Sequence, residues 1–117
     1  MRPEACGRGA RLGRADRLRD GRDFRRANAT GARRTTRHFV ALVAPGRDLE
    51  RTRLGLTVSR RVAGAVGRNR VKRRVREWFR SHRDGLGPGL DVVVIARRGA
   101  AEQESAETWR ELEELLR

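Results

Sequence analysis

The sequence predicts an α+β domain in which three helices pack on a small mixed β-sheet, in the order α-β-β-β-α-β-α. Two short apolar runs rich in β-forming residues, at about 38 to 44 and 90 to 96, indicate buried strands. A long amphipathic helical pattern lies between them and starts near Val66. With 117 residues in all, the chain has room for one domain with a modest core.

Local signals bound the first helix and the first strand. Asp20 can cap a helix over about 20 to 29, with Asp23 beside the positive end of the helix dipole and Gly31 as a stop. The apolar run at 38 to 44 is followed by turn residues, which predicts a strand that ends there.

An alternating pattern predicts the next strand. Leu54, Leu56 and Val58 fall on one side of it, as a half-buried strand requires. This strand could pair with the preceding apolar run as a hairpin. Residues 32 to 37 mix β-branched and charged side chains without a clear period, so the pattern does not decide whether they add another short strand.

The longest helical signal runs from about Val66 to Ser81. Apolar residues at helical spacing form the face expected to pack on the sheet, namely Val71, Val75, Trp78 and Phe79. The opposite face is a cationic stripe made of Asn69, Lys72, Arg73, Arg76 and Arg80, flanked by Arg70 and Glu77.

The last two elements follow a glycine-rich linker that begins at Gly85. Residues 90 to 96 are apolar on both sides after Asp91, which predicts a central strand, and the unit from 53 to 96 suggests a parallel crossover. Ser105 is expected to open the last helix. Its predicted core stripe is Trp109, Leu112, Leu115 and Leu116, and its predicted water-facing residues are Glu107, Glu111, Glu113 and Glu114.

The charge balance points to a polyanionic partner. The chain has 29 Lys and Arg against 15 Asp and Glu, a formal charge of +14, so nucleic acid is the leading partner class. No apolar run is long enough to suggest a membrane span, and the Arg-rich start lacks the apolar stretch of a secretory signal, so we expect a cytoplasmic protein. Residues 1 to 16 are expected to form a disordered basic extension, in which Cys6 has no partner for a disulfide or a metal site.

The most informative segment runs from Ser59 to Arg76. Its cationic side chains have few acidic neighbours, and their mutual repulsion calls for an external anion. Gly64 and Gly67 let a backbone approach a phosphate chain closely, or alternatively form an ordinary turn before the helix. Asn69 can donate and accept at once, which suits a sugar hydroxyl or a base edge.

Residues 54 to 80, LGLTVSRRVAGAVGRNRVKRRVREWFR, resemble the signature of the bacterial ribonuclease P protein subunit. The RNR triplet of Arg68, Asn69 and Arg70 is the hallmark of that family. Further matches are Leu18, Phe24, Gly31, Phe39 and the run LDVVVIARRGAAE at 90 to 102. The resemblance covers about residues 17 to 117, which are expected to form one RNA-binding domain.

The resemblance implies a noncatalytic subunit of a ribonucleoprotein endoribonuclease. Such a protein joins a large catalytic RNA, and together they remove the 5′ leader of precursor tRNA; Mg²⁺ is held mainly by the RNA, and no protein ligand is assigned to it. It also implies an unusual left-handed crossover, against the general right-handed rule. The residues that it implies contact RNA are Arg60, Arg61, Arg68, Asn69, Arg70, Lys72, Arg73 and Arg76.

The same resemblance implies a cleft for the single-stranded leader between the first helix and one sheet face. The residues assigned to it are Phe24, Asn28, Val40 and Leu42. Stacking of a base on Phe24 is chemically reasonable, although a core position on the inner face of the helix explains this residue equally well. Relatives often carry Phe or Tyr at positions 28 and 42, and this chain has no tyrosine.

The sequence also bears on three other functions. A stand-alone nuclease would need a carboxylate cluster or an oriented acid–base pair, and neither His38 nor His82 has an orienting carboxylate visible in the sequence. A DNA-binding regulator predicts a symmetric dimer, and no dimerisation seam is evident, nor any other obligate protein partner. A structural RNA-binding protein without a processing role fits the composition, but does not need the glycine-spaced segment from Ser59 to Arg76.

Overall fold

The computed structural model describes residues 16–18 and 20–116, so the predicted extension up to residue 15, including Cys6, lies outside the described residues. The helices are α1 (Gly21–Thr30), α2 (Ala65–Leu86) and α3 (Ser105–Leu115), and the strands are β1 (Ala32–Thr35), β2 (Phe39–Pro45), β3 (Arg53–Thr57) and β4 (Leu90–Ala96). A short 3-10 helix spans Ala100–Glu102. The predicted α+β class and element order are confirmed.

The sheet has the order β1-β2-β4-β3. β2 is antiparallel to both β1 and β4, whereas β3 is parallel to β4. The predicted hairpin between the second and third strands is therefore wrong, because β4 lies between them. The physical reason is burial: β4 is apolar on both faces and gains most from a central position, as predicted for it. The hand of the β3–α2–β4 crossover stays a prediction.

The two faces of the sheet are covered by different helices. On one face, α2 and α3 pack on alternate strand residues to form the larger core, whose fully buried members include Phe39, Phe79 and Leu112. On the other face, α1 covers a smaller apolar cluster made of Leu18, Ala27, Leu42, Ala44 and Val93, with Phe24 and Ile95 packed at its margin. The sheet is thus the middle layer of three.

Strand register arranges the α1-facing side chains in rows that cross the sheet, because directly paired residues share a face. The outermost row is Thr35, Val40, Ile95 and Thr57. The next row is Arg33, Leu42, Val93 and Gly55, and the third is Ala44, Asp91 and Arg53. Phe24 lies over Gly55 and Asp23 over Arg53, so α1 covers the second and third rows.

Two buried carboxylates fix α1 to the third row. Asp23 and Asp91 are each 1% exposed. Arg53 donates two hydrogen bonds of 2.9 Å to Asp91 and lies 3.3 Å from Asp23. Arg47 donates to Asp23 at 2.7 Å and Arg26 to Asp91 at 2.8 Å. This cluster joins α1, β3, β4 and the segment after β2, and it supplies the partners without which buried charges would be costly.

The helices begin where the sequence predicts, but one of them ends later. Asp20 caps α1 through the backbone N–H of Arg22, as predicted. α2 extends five residues beyond the predicted end, to Leu86, and stops where Gly87 takes a φ of 84°. α3 begins at Ser105, as predicted, and its cap is Glu104, in a reciprocal capping box with Glu107.

The buried ion cluster predicts acid-sensitive folding. The hydrogen bond from Arg47, together with the charges of Arg53 and Arg26, lowers the pKa of Asp23 although burial opposes this. A depressed pKa stabilises the fold fully above the unfolded aspartate value of about 3.9, and this contribution is lost as the pH falls through the lower folded value. Urea unfolding between about pH 6 and pH 2 should show this fall.

Asp23→Asn should cost about 1 to 3 kcal/mol at neutral pH and should flatten the acid limb of the stability curve. Asp84→Asn is the matched control, because Asp84 is exposed. An acid limb of unchanged slope in Asp23→Asn would show that other carboxyls dominate.

A second prediction concerns Gly55. A methyl group there would lie 2.8 Å from two ring carbons of Phe24, too close for van der Waals contact, so Gly55→Ala should cost about 1 to 3 kcal/mol. Gly85→Ala is the control: nothing lies within 4 Å of the added methyl, and alanine is the better helix former. Equal denaturation midpoints for the two variants would contradict the close packing of Phe24 on β3.

Candidate RNA-binding surfaces

The first candidate surface is the outer face of α2. Val71, Val75, Trp78 and Phe79 are buried, as predicted, and their burial fixes how the helix is rotated on the sheet. Asn69 and Arg73 are exposed on the outer face, and the partly buried cations beside them are Lys72, Arg76 and Arg80. The predicted cationic stripe is therefore present on a helix held by the larger core.

The RNR triplet spreads around the start of α2. Arg68 donates to the backbone carbonyl of Ala63 at 3.1 Å, and Arg70 donates to that of Ala101 at 3.2 Å. Asn69 lies between them and is exposed. Both guanidiniums are thus aimed by neutral carbonyls, a contact that the sequence pattern did not predict. Each keeps further N–H donors for a ligand.

The loop before α2 adds two cations to this surface. Arg60 and Arg61 are exposed between the end of β3 and the start of α2. Gly64 is the N-cap of α2 and supplies no side-chain hydrogen bond, and the first helical turn has no acidic residue. The positive end of the helix dipole therefore adds to the charge of these arginines.

The arginines at the start of α2 have no acidic partner among residues 16–18 and 20–116. In the part of the chain that the structure describes, no carboxylate pairs with Arg68, Arg70, Arg73 or Arg76. Burial, and then the charge of Arg17, lower the pKa of Arg76 below the ordinary arginine value. Neighbouring cations without counterions gain from a bound polyanion.

The second candidate surface lies on the opposite face of the sheet. Val40 and Leu42 share the α1-facing side of β2 and are 7% and 2% exposed. Phe24 is partly buried and packs at the margin of the same cluster, whereas Asn28 is exposed on α1. The two interpretations of Phe24 are compatible here, because its ring packs on Gly55 while the residue as a whole stays partly exposed to solvent.

Sequence reasoning missed two residues of this second surface. Ile95 and Thr57 stand in the same row as Val40, and neither is fully buried. The sequence pattern predicts only that Ile95 belongs to an apolar strand. Strand alternation could have placed its side chain on the face opposite to that of Val94. Its position beside Val40 and Thr57 depends on the pairing of β4 with both β2 and β3.

Both histidine rings contact neighbouring groups of the fold. The sequence shows no orienting carboxylate for His38, but the fold supplies one, because its Nδ1 lies 2.8 Å from Oε1 of Glu111, on a helix distant in sequence. His82 stacks on Trp78 at a centroid distance of 4.4 Å, and its Nδ1 lies 2.8 Å from the Trp78 carbonyl.

Residues 16–18 and 20–116 contain no group of three or more His, Cys, Asp or Glu side chains arranged to hold a metal ion. Among those same residues, no helix is both long and apolar enough to cross a membrane.

The chain is similar to known proteins in both sequence and fold. The ribonuclease P family model matches residues 12–117. A ribonuclease P protein component from Syntrophobacter fumaroxidans is 44% identical over 98 residues, covering 83% of this chain and 82% of the relative. The RNase P protein structure from Staphylococcus aureus has a TM-score of 0.81 and 32% identity, covering 88% of this chain and 94% of its own.

The RNase P protein structure from Thermotoga maritima has a TM-score of 0.76 and 34% identity, covering 86% of this chain and 94% of its own. The family match includes both the α2 surface and the surface around Phe24. On this agreement of sequence and fold, the chain belongs to the ribonuclease P protein family.

Proposed function

We propose that this chain is the noncatalytic protein subunit of ribonuclease P, which binds the catalytic RNA and the 5′ leader of precursor tRNA and so promotes removal of the leader. The observation that carries the proposal is the outer face of α2, where several arginines pair with no carboxylate of the described residues and extend from a helix anchored by four buried residues.

The α2 surface is proposed to bind the catalytic RNA. The planar guanidinium group forms paired hydrogen bonds with phosphate oxygens, and Asn69 offers both a donor and an acceptor to a sugar or base. A rigid helix holds these groups at fixed spacing, so little conformational entropy is lost when RNA binds. The residues assigned to this contact are Arg60, Arg61, Arg68, Asn69, Arg70, Lys72, Arg73 and Arg76.

The leader is proposed to bind on the α1 side of the sheet. Phe24 is partly exposed, and its aromatic ring is proposed as a stacking surface, since base–aromatic stacking tolerates any base. Leu42 belongs to the buried cluster against which Phe24 packs, and Val40 is buried in the neighbouring row of the same sheet face, so the two support the site from below. Asn28 is exposed on α1, where it offers hydrogen bonds to the leader. Because α1 and α2 cover opposite faces of the sheet, one subunit can hold two RNA segments at once.

The chemistry is proposed to belong to the RNA. Magnesium ions held by the RNA supply the Lewis acid for phosphodiester hydrolysis, and we assign no catalytic residue to this chain. The protein binds and orients the precursor, and its positive field offsets the repulsion between two RNA chains. Its benefit should therefore be greatest where magnesium is scarce.

The direct test is multiple-turnover cleavage of a precursor tRNA by a bacterial ribonuclease P RNA at low magnesium, with and without this protein. We expect a clear rate gain, and Arg68→Ala or Arg70→Ala should each weaken binding to the catalytic RNA by about 1 to 3 kcal/mol. Arg110→Ala removes the same charge from the exposed, glutamate-rich side of α3 and should change little. No gain from the folded protein with a cognate RNA would refute the proposal.

A separate prediction tests leader binding. Phe24→Ala should weaken binding of precursor tRNA to the reconstituted enzyme, by about 1 to 3 kcal/mol for one lost base stack, while binding of mature tRNA stays unchanged because it carries no leader. Affinities are compared at equal ionic strength, since phosphate contacts depend on salt. Equal losses for the two tRNAs would exclude the assigned role of Phe24.

A further inference from the structure

Glu111 of α3, which the helical pattern placed in water, is the centre of a hydrogen-bond network. Its side chain is only 11% exposed. It accepts hydrogen bonds from the Thr36 hydroxyl, from the backbone N–H of His38 at 2.6 Å and from Nε2 of Gln103 at 2.9 Å. Although burial alone would raise it, the pKa of Glu111 is lowered by these bonds and by His38. The group is therefore ionised at neutral pH.

This one carboxylate joins α3 to two separate segments of the chain. One is the turn at 36 to 38 between β1 and β2, and the other is the loop at 97 to 104 between β4 and α3. Arg97 links the two segments directly, because its backbone N–H donates to the His38 carbonyl at 2.7 Å and its guanidinium to the Thr36 carbonyl at 3.0 Å.

The loop at 97 to 104 in turn contacts the RNA-binding helix. Its Ala101 carbonyl accepts the hydrogen bond from Arg70, and its Gln103 carbonyl accepts one from Arg74. The packing is close, since a methyl group on Gly67 of α2 would lie 3.3 Å from Cβ of Ala101. A small shift of this loop would therefore change where Arg70 points.

We propose that Glu111 is a positioning residue for RNA binding: by fixing the loop at 97 to 104, it holds the Ala101 carbonyl that aims Arg70 at the catalytic RNA. The inference rests on the proposed function, because it assigns a cause to the placement of one arginine of the RNR triplet. Glu111 does not contact the RNA in this scheme and acts only through Arg70.

The test is a double-mutant cycle on binding to a bacterial ribonuclease P RNA. Glu111→Gln keeps the side-chain size but replaces an acceptor oxygen with a donor that faces other donors. We expect it to weaken RNA binding roughly fivefold in the wild-type background and less than about twofold in the Arg70→Ala background, because coupled residues are not additive.

Two controls separate positioning from general damage. Arg73 is an exposed cation of α2 that, among the described residues, forms no hydrogen bond or ion pair with the loop. The fold-losses in RNA affinity caused by Arg73→Ala and by Glu111→Gln should therefore multiply in the double variant. Glu113→Gln makes the same chemical change at an exposed site of α3 and should leave RNA affinity unchanged. Thermal unfolding establishes that each variant is folded at the assay temperature.

Thr36→Val provides a milder variant for the case in which Glu111→Gln unfolds. It removes one of the donors to Glu111 and should give a smaller loss with the same dependence on Arg70. Losses that multiply with Arg70→Ala, or unchanged affinity in folded variants, would overturn the positioning role while leaving the proposed function intact. A wild-type protein that does not bind the RNA would overturn both.

Discussion

β4 is buried on both faces, and the three layers of the protein are built around it. Val92 and Val94 face the core under α2 and α3, whereas Val93 faces the cluster under α1. Because its backbone pairs with β2 on one side and β3 on the other, β4 also sets the register that aligns the rows of side chains. Both candidate RNA surfaces depend on this register, because α1 and α2, which carry them on opposite faces, take their positions from it.

The parts of the fold that depend on short-range patterns could be predicted from the sequence. Helical spacing gave the buried face of α2, and two-sided apolarity gave the central place of β4. The pairing of β2 with β4 could not be predicted, because a hairpin with β3 satisfies the same local pattern. The prediction for Glu111 is wrong for a related reason: its spacing on α3 matches a solvated face, and two of its partners, Thr36 and His38, are more than seventy residues away along the chain.

The candidate sites also combine features that local sequence patterns predict with features that depend on the whole fold. The cationic stripe could be found because charge and periodicity are local, whereas the carbonyls that aim Arg68 and Arg70 belong to loops whose placement is set by the whole fold. Three buried aspartates pair with other arginines. Asp23 and Asp91 lie among arginines on the α1 side of the sheet, and Asp16 pairs with Arg51 and with Arg83 near the end of α2, so none of the three pairs with the arginines at the start of α2.

β1 lies at one edge of the sheet, and its charge affects how copies of the free chain can associate. An open strand edge with unpaired backbone groups is a template for association with another chain, and charged side chains on the edge oppose this. All four residues of β1 are exposed, and two of them are Arg33 and Arg34. Two such edges would repel each other in water, which disfavours edge-to-edge pairing between copies of the free chain.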